Sequence, residues 1–286
     1  MPARHCLALL LCLFTFQAGA ADLKITTWNL EWLTSKHAGD PALPRDVQPK
    51  TPDDIARLRS YATQLNADVI GFQEVDGPAI AAMVFAPERY VLHMTQDSVV
   101  QRVGFAVRRG LDITANPDLV ALSLPEHGGR LRSGADITLR LPGGHLRLLN
   151  LHLKTGCRQD PLSRSTRPQC ATLRAQLAPL QGWIAERQRE LVPYVLLGDF
   201  NRWMDRSDQF LSALQATAPL TRATEGKSNP CWGGAAFIDH ILAGGAARGW
   251  LQPETLRVLV YQERDPAALA HLSDHCPVSV AFRLPE

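Results

Sequence analysis

Apolar and polar positions recur along the chain with two different periods, which predict strands interspersed with helices. Residues 23–29 predict a strand that leads into a long polar loop over 33–50. Thr51 predicts a helix N-cap, because Pro52 follows in the first helical position and apolar residues then recur at helical spacing. The apolar run within 68–74 is typical of a strand buried on both faces.

The downstream pattern favours mixed sheets over a purely parallel one. Strict alternation on both sides of a Pro142-Gly143-Gly144 turn predicts a hairpin over 135–153. A long helix is predicted over 170–190, with Pro179 and Gly182 as expected kink positions. The other predicted elements are a short helix at 80–85 and strands at 89–95, 103–108, 194–198, 237–242 and 278–282. Hairpins with interspersed helices predict an α/β (α+β) fold with mixed sheets.

The N-terminus has the pattern of a cleaved export signal. Arg4 supplies a positive charge, residues 6–16 are apolar, and Ala18-Gly19-Ala20 is a small-residue cleavage site. A retained N-terminal anchor is the alternative. We therefore expect a signal peptide over 1–20, cleaved after Ala20, and a single domain over 21–286 in the periplasm or secreted. We also expect a monomer with no integral membrane segment after cleavage.

Composition and cysteine count limit the partners and the compartment. With 30 basic and 28 acidic residues, a strong grip on nucleic acid would need a local basic patch. Four cysteines follow the predicted signal, an even number that in an exported protein favours two disulfides. We favour Cys157–Cys170 and Cys231–Cys276, although four cysteines allow three pairings and a zinc site is the alternative.

Polar residues collect where the predicted apolar strands end. Such positions suit an active site, because a rigid sheet fixes the side chains that leave it. Any one of them alone is more often a turn former or a helix cap. The positions are Asn29, Glu31, Gln73, Glu74, Asn150, His152, Asp199, Asn201, Asp239, Asp274 and His275.

In their order and spacing these motifs resemble the endonuclease/exonuclease/phosphatase superfamily, the fold of DNase I, in an exported bacterial-type member. The most specific pieces are Gly198-Asp199-Phe200-Asn201 and Ser273-Asp274-His275, followed by Gln73-Glu74. The resemblance runs from Asn29 to His275. It implies a four-layer sandwich of two mostly antiparallel mixed sheets flanked by helices, with the site at one end.

Phosphoester hydrolysis by such a site needs a hard cation, for which carboxylates and amide oxygens are the preferred ligands. Glu74 is the best candidate ligand, and the resemblance places Asn29 beside it. Glu31 and Asp274 are further candidates, with a solvated loop position as the alternative for Glu31. We expect Mg²⁺ or Mn²⁺, with Ca²⁺ as a further option.

The remaining nominees have catalytic roles. His275 is the expected general base, and Asp239 the expected orienting partner, with a structural ion pair as the alternative. The resemblance assigns Asp199 and Asn201 to the water or leaving group and a phosphoryl oxygen, and His152 to a phosphate contact. A turn and a satisfied buried histidine are the respective alternatives.

Three further residues are candidates for the substrate side. Asn150 shares a strand face with His152 and is expected to support it. Arg130 and Arg132 precede the hairpin and could bind a substrate phosphate bidentately, with an exposed unpartnered pair as the alternative. The arginine-rich loop between Cys157 and Cys170 is a candidate substrate-facing lip.

The sequence leaves three functions open. The first is a secreted or periplasmic nuclease that cleaves phosphodiesters in DNA or RNA. The second keeps the site but acts on sphingomyelin, inositol phosphates or other small phosphoesters, because a fold does not select a substrate. The third is a binding module without chemistry, which the presence of every nominated residue disfavours.

Overall fold

Two β-sheets pack face to face in the computed structural model, which describes residues 22–127, 131–142 and 144–285. The strands are β1 Asp22–Leu33, β2 Val69–Val75, β3 Tyr90–Met94, β4 Arg102–Arg108, β5 Asp112–Ala115, β6 Ala135–Leu141, β7 Gly144–His152, β8 Tyr194–Asp199, β9 Leu220–Arg222, β10 Asp239–Gly244, β11 Leu251–Val258 and β12 Val278–Arg283. The helices are α1 Pro52–Leu65, α2 Pro78–Val84, α3 Pro168–Ala175, α4 Leu177–Arg189, α5 Gln209–Thr217, α6 Ala247–Trp250 and α7 Pro266–Ala270.

The two sheets follow one plan. The first sheet has the strand order β11-β12-β1-β2-β4-β3, and the second has the order β5-β6-β7-β8-β10-β9. In each sheet the two central strands are parallel, β1 with β2 and β7 with β8. The other neighbouring strands run antiparallel. The prediction of mostly antiparallel mixed sheets is therefore confirmed.

Apolar side chains form three clusters among the described residues, and these clusters define four layers. One cluster fills the space between the sheets, where Ile25 and Phe105 of the first sheet meet Leu148 and Leu197 of the second. A second cluster packs α1 and α2 on the outer face of the first sheet. A third packs α3, α4 and α5 on the outer face of the second sheet. The order helix, sheet, sheet, helix is the four-layer sandwich expected from the resemblance.

The prediction of one continuous helix over 170–190 is wrong, because two helices, α3 and α4, occupy this range. The chain bends at Gln176, between α3 and α4. The Gln176 side chain is buried, where it accepts a hydrogen bond from Lys154 N at 2.9 Å and donates one to Leu122 O at 2.9 Å. Pro179 has no N–H to bond the carbonyl of Ala175, four residues earlier, so the break between α3 and α4 lies where the kink expected from Pro179 falls.

Three strands were absent from the prediction, and all three lie at or beside sheet edges. They are β5, β9 and β11. Their faces are half-exposed and lack a continuous apolar run. Because an edge strand forms by pairing with a neighbour, its own pattern carries little information.

Both favoured disulfides form. Cys157 bonds to Cys170 and Cys231 bonds to Cys276, which leaves these cysteines unavailable as zinc ligands. Two disulfides are compatible with an extracellular protein. No helix among the described residues has the length and apolarity needed to cross a membrane. The expected signal peptide at 1–20 lies outside the described residues.

Candidate active site

The site lies at one end of the apolar layer between the sheets. On the inner face of β1, Leu23 and Ile25 belong to that layer, and Asn29 continues the same face two positions beyond Thr27. On β8, Val195 and Leu197 belong to the layer, and Asp199 ends the strand. The strands of both central pairs are parallel, so their carboxyl ends meet at one edge and bring polar groups of the two sheets together.

His275 and Asp239 form a direct pair across the two sheets. Asp239 begins β10 of the second sheet, and His275 lies just before β12 of the first. His275 Nδ1 lies 2.9 Å from Asp239 Oδ2 and 3.0 Å from Oδ1. A carboxylate only accepts, so Nδ1 carries the proton and the pair fixes the ring. His275 Nε2 then faces Asp199 Oδ2 at 3.8 Å and Asp274 Oδ1 at 3.7 Å.

Asp199 is the meeting point of the cluster. It is paired in register with Asp239 on β10 and with His152 on β7. Its Oδ1 accepts a hydrogen bond from Asn201 N at 2.7 Å. Its Oδ2 accepts from Asn201 Nδ2 at 3.1 Å and from Asn29 Nδ2 at 3.2 Å. Asn201 adopts a left-handed backbone with φ 52°, which turns its side chain back onto Asp199.

Burial and crowded negative charge dominate the electrostatics. Burial raises the pKa of Asp199 to about 7, and the carboxylates of Asp239 and Glu74 add to the rise against the opposing effect of His275. Burial alone would lower the pKa of His275. Neighbouring carboxylates, Asp239 first, outweigh burial and hold it well above the ordinary value. The cluster therefore has an excess of acidic groups that attract positive charge.

Glu74 reaches the same cluster from the first sheet through an irregular backbone. Its φ of 61° is left-handed, and the register of β2 with β4 shifts between Phe72 and Val75. Glu74 Oε1 accepts from Asn29 Nδ2 at 3.1 Å, and Oε2 accepts from Trp32 N at 3.2 Å. One amide group of Asn29 thus holds the carboxylate of Glu74 and that of Asp199 side by side.

His152 lies behind these two carboxylates. Its Nε2 is 3.5 Å from Asp199 Oδ2 and 3.6 Å from Glu74 Oε1. Its Nδ1 is buried without a hydrogen-bond partner. Burial lowers the pKa of His152 well below the ordinary value, and the charges of Arg132 and His275 lower it further. The ring is therefore neutral, with a nitrogen directed at the acidic groups.

Arg132 supports His152 from the backbone side. It is buried, and its Nε donates to His152 O at 3.0 Å while Nη1 donates to Gln101 Oε1 at 3.2 Å. The alternative of an exposed arginine without a partner does not describe Arg132. Arg130 lies outside the described residues.

Asn150 bridges the two sheets beneath the site. Its Nδ2 donates to Phe72 O at 2.8 Å and to Gly104 O at 2.7 Å, and its Oδ1 accepts from Gln73 Nε2 at 2.7 Å. Asn150 and Gln73 are fully buried. This network holds the strand ends of both sheets in register, so Asn150 contributes as a support within the described structure.

Glu31, Asp274 and Lys50 line the outer side of the cluster. Glu31 Oε2 accepts from Asp274 N at 2.9 Å. Burial and the nearby Asp274 raise the pKa of Glu31. Burial lowers the pKa of Lys50, against the acidic groups of Glu31, Asp54, Glu74 and Asp274. Lys50 is thus an additional cation facing the site.

Two sets of residues could hold a cation. Ligand atoms of Asp199, Asp239 and His275 lie within 4.8 Å of one another, and Glu74 with Asn29 forms the neighbouring set. The donors are mainly carboxylate oxygens, and one amide nitrogen of Asn29 contacts both Glu74 and Asp199. Such a set fits a hard divalent cation. A third group, Cys157, Asp160 and Cys170, is excluded because its cysteines are disulfide-bonded.

Sequence reasoning missed three residues that shape the site. The Trp232 ring lies 5.2 Å from that of His275, and its Nε1 donates to Asp274 O at 2.6 Å. Tyr261 OH donates to His275 O at 2.8 Å. Lys50 is the third. The rarity of lysine, with five in the chain, was a usable indication for Lys50. Tyr261 lies in a segment without hydrophobic periodicity, so the sequence gave no indication of its position beside the site.

The structure brings most of the nominated residues together. The cluster around Asp199 contains the predicted catalytic and cation-side groups, which are Asn29, Glu31, Glu74, His152, Asp199, Asn201, Asp239, Asp274 and His275. Arg132 and Asn150 are buried just behind it.

Several solved structures are similar to this chain over most of its length. TDP2 from C. elegans superposes with a TM-score of 0.63 at 16% identity, covering 93% of this chain and 76% of that one. A 3′ phosphatase, NExo from Neisseria, bound to product DNA hairpin, gives 0.59 at 18% identity and covers 92% and 100%. A family protein from Bacteroides thetaiotaomicron gives 0.60 at 17% identity and covers 93% and 99%.

At these identities the solved structures establish the fold alone. No curated protein matches the chain in sequence. A sequence profile described as Endonuclease/Exonuclease/phosphatase family, however, matches residues 26–275. That span includes every strand end that contributes to the cluster. The chain therefore belongs to the endonuclease/exonuclease/phosphatase family, whose members are hydrolases that act on phosphoester bonds.

Proposed function

We propose that the protein is a divalent-metal-dependent phosphodiesterase, exported from the cell, that acts as a nuclease. The observation that carries the proposal is the contact of Asn29 Nδ2 with both Glu74 and Asp199, next to the His275–Asp239 pair. A cation-side carboxylate, a histidine base with its acidic partner, and phosphate-side polar groups thus share one edge. Each is required for phosphoester hydrolysis.

The cation belongs on the Glu74 side of the cluster. Asp239 holds the ring of His275 through Nδ1, and both oxygens of Glu74 keep lone pairs beside the N–H groups that they accept. Glu31 and Asp274 are close enough to contribute, and Asn29 orients the carboxylate. Bound Mg²⁺ or Mn²⁺ supplies positive charge for the phosphoryl and departing oxygens.

The protein groups handle the proton and the orientation of the phosphate. Nε2 of His275 is the free nitrogen of a ring held by Asp239, so it is placed to take the proton of an attacking water once the local negative charge is balanced. Water adds to phosphorus, the ester P–O bond breaks, and the proton passes to Nε2. Asp199 and Asn201 hold the water or the leaving oxygen, and neutral His152 faces a phosphoryl oxygen.

Nucleic acid is the favoured substrate, and export the favoured location. NExo is described as bound to product DNA hairpin, and D. rerio TDP2 as complexed with a single-strand DNA product. The two disulfides support an oxidising compartment. We infer that the mature protein is one domain from about residue 21 onward and that it acts as a monomer.

A metal-supplemented substrate panel tests this proposal. The purified protein is incubated with plasmid DNA, RNA, sphingomyelin and inositol phosphates in Mg²⁺, in Mn²⁺ and in chelator, with Asp199→Ala as the control. We expect plasmid or RNA cleavage that needs the metal and is lost in the variant. Intact nucleic acid with consumption of a lipid or small phosphate would instead support the second candidate function. Absence of any hydrolysis would contradict an enzymatic role.

A further inference from the structure

The segment that leaves the site at His152 forms a rigid basic surface, here called the basic lip, residues 154–174. It contains Lys154 and four arginines but one acid, Asp160, a net charge of +4. The whole chain carries +2, so the remaining residues carry −2. This one segment therefore carries a local excess of positive charge of the kind that a polyanion would require.

Hydrogen bonds attach the basic lip directly to the catalytic edge. Leu153 N donates to Asp199 O at 2.9 Å, and Asn201 Nδ2 donates to Leu153 O at 3.2 Å. Trp203 N donates to Arg158 O at 2.9 Å. The backbone that carries Arg158 therefore lies against the residues that immediately follow Asn201.

The buried Arg202 fixes the shape of the basic lip. Its guanidinium donates to Asp208 Oδ2 at 2.7 Å, to Cys157 O at 2.7 Å and to Asp160 O at 3.0 Å. The Cys157–Cys170 disulfide closes the segment, and Leu162 is buried beneath it. Because the backbone is held from below, binding a ligand needs little further ordering of the backbone.

Two arginines of the basic lip are available to a ligand. Arg158 and Arg164 are exposed. In the described part of the chain their guanidinium groups have no ion-pair partner, whereas Arg167 is paired with Asp160 at 3.0 Å. Arg158 and Arg164 can therefore contact phosphates without first breaking an existing pair.

The segments on the first-sheet side of the site, here called the acidic wall, carry the opposite charge to the basic lip. Residues 31–50 contain three acids and three bases, and residues 263–274 contain three acids and one base, so the two together carry −2. Both segments line one cavity of about 300 Å³ next to Glu31. A polyanion that enters the site is thus attracted to one wall and not to the other.

We propose that the basic lip binds the sugar-phosphate backbone of a polynucleotide beside the cleaved bond, with Arg158 and Arg164 contacting phosphates. This assignment rests on the proposed phosphodiesterase function and names its substrate as a polymer. The contacts are electrostatic and independent of base sequence. Counterion release then makes binding weaken with rising salt.

Measuring polynucleotide binding and small-ester turnover separately tests this proposal. Binding of a fluorescein-labelled single-stranded DNA oligonucleotide is followed by anisotropy against KCl concentration in a His275→Ala background, which prevents cleavage. The lip variant is Arg158→Ala/Arg164→Ala. The matched control, Arg45→Ala/Arg264→Ala, removes the same charge from two exposed residues of the acidic wall. Hydrolysis of bis-p-nitrophenyl phosphate is measured with an active His275.

The lip variant should bind the oligonucleotide about tenfold more weakly at ~0.15 M salt, and its plot of log K against log salt should flatten by about 1.4 units for two lost contacts. The control should stay within about twofold. Arg158→Lys/Arg164→Lys should retain most of the affinity, because the charge persists. Turnover of the small ester should be unchanged in all three.

Equal losses in the lip variant and the control would overturn the proposal, since net charge alone would then explain the binding. Unchanged DNA affinity, or lost small-ester turnover in the lip variant, would also overturn it. Vesicles containing anionic phospholipid serve as a competing probe, and binding to them without binding to DNA would contradict a polynucleotide ligand. Failure of the unmodified protein to hydrolyse any phosphoester would instead count against the proposed function.

Discussion

The two sheets reach the site with the same strand plan but with different backbones. In the second sheet, β7, β8 and β10 deliver His152, Asp199 and Asp239 as a row of paired residues in regular register. In the first sheet, Asn29 is the last regularly paired residue of β1, and Glu74 lies in the stretch of β2 where the register shifts. Three of the residues on that side, Glu31, Trp32 and Glu74, adopt a left-handed backbone. Left-handed conformations are costly for such residues and persist only where the surroundings hold them.

This difference separates two tasks. The regular rows of the second sheet hold the phosphate-side and proton-handling groups at distances fixed by strand pairing. The irregular strand ends of the first sheet turn acidic side chains towards the site. In a regular strand, strict alternation would direct these side chains elsewhere. His275 and Asp239 join the two halves. The charge of the surroundings differs as well, since the basic lip extends from the second sheet and the acidic wall from the first.

The largest expected effect on activity comes from removing the side chain of His275, which joins the two sheets. His275→Ala should lower kcat on bis-p-nitrophenyl phosphate by about a hundredfold to ten-thousandfold, because a positioned general base contributes that much. His145→Ala is the matched control, since His145 is exposed at the start of β7, at the opposite end of that strand from His152. Steady-state kinetics in Mg²⁺ measure both. Comparable losses in the two variants would contradict the assignment of His275.

The two disulfides should differ in what they support. Cys231–Cys276 joins the segment leading to Asp239 with that following His275, at a separation of 45 residues, whereas Cys157–Cys170 spans 13 within the basic lip. On loop length, replacing each pair by serine should cost roughly 4 and 3 kcal/mol of unfolding free energy. Small-ester turnover should fall in Cys231→Ser/Cys276→Ser alone. A fall of the same size in Cys157→Ser/Cys170→Ser would remove the distinction.

Two glycines allow the packing of the two sheets near the site to be compared. Gly198 has φ +139°, and an added Cβ would lie 1.9 Å from Leu151 O. A Cβ at Gly71 would meet side-chain atoms only, Leu197 Cδ1 at 2.8 Å and Asn150 Cγ at 3.0 Å. Gly198→Ala should destabilise the protein by about 2–3 kcal/mol and Gly71→Ala by about 1 kcal/mol. Urea unfolding measures both, and the reverse order would contradict the close approach at Gly198.

A further difference concerns the acid stability of the second sheet. Burial lowers the pKa of His240 to about 3, against the hydrogen bond from its ring to the carbonyl of Arg202, which raises the pKa. Below about pH 6.5 the histidine is protonated in the unfolded chain but stays neutral in the folded chain. The free energy of unfolding therefore keeps its full value above that pH and falls by about 1.4 kcal/mol per pH unit as the pH decreases towards 3.

His240→Gln keeps a donor for Arg202 but cannot be protonated, so this part of the slope should vanish. The exposed His145→Gln is the control and should leave the slope unchanged. Chemical unfolding between pH 7 and 4 measures the three proteins. An identical pH dependence in wild type and His240→Gln would show that the buried ring is not responsible.

The regular half of the molecule was the more predictable from sequence. Alternation and the Pro142 turn located β6 and β7, and the apolar run before Asp199 located β8, because these patterns are set by burial within a few residues. Asp199 and Asn201 lie as close together as their spacing implied. The two disulfide pairings were also predicted and are confirmed.

The irregular half depends on contacts between distant segments, which local patterns do not encode. The left-handed φ of Glu74 follows from hydrogen bonds with Asn29 and Trp32, more than 40 residues away. The buried Gln176 side chain likewise joins distant segments, through its hydrogen bonds with Lys154 and Leu122. Motif resemblance could place Glu74 in the site, but no periodicity could show how its side chain reaches it.

A double-mutant cycle between the sheets tests the central claim most directly. Glu74→Gln in the first sheet and Asp199→Asn in the second are combined, and kcat/KM for bis-p-nitrophenyl phosphate in Mg²⁺ is measured for all four proteins. If both carboxylates serve one phosphoester site, each single variant should lose activity and the double should lie within about tenfold of the worse single. Losses that multiply in the double variant, or a single variant with wild-type activity, would contradict a shared site.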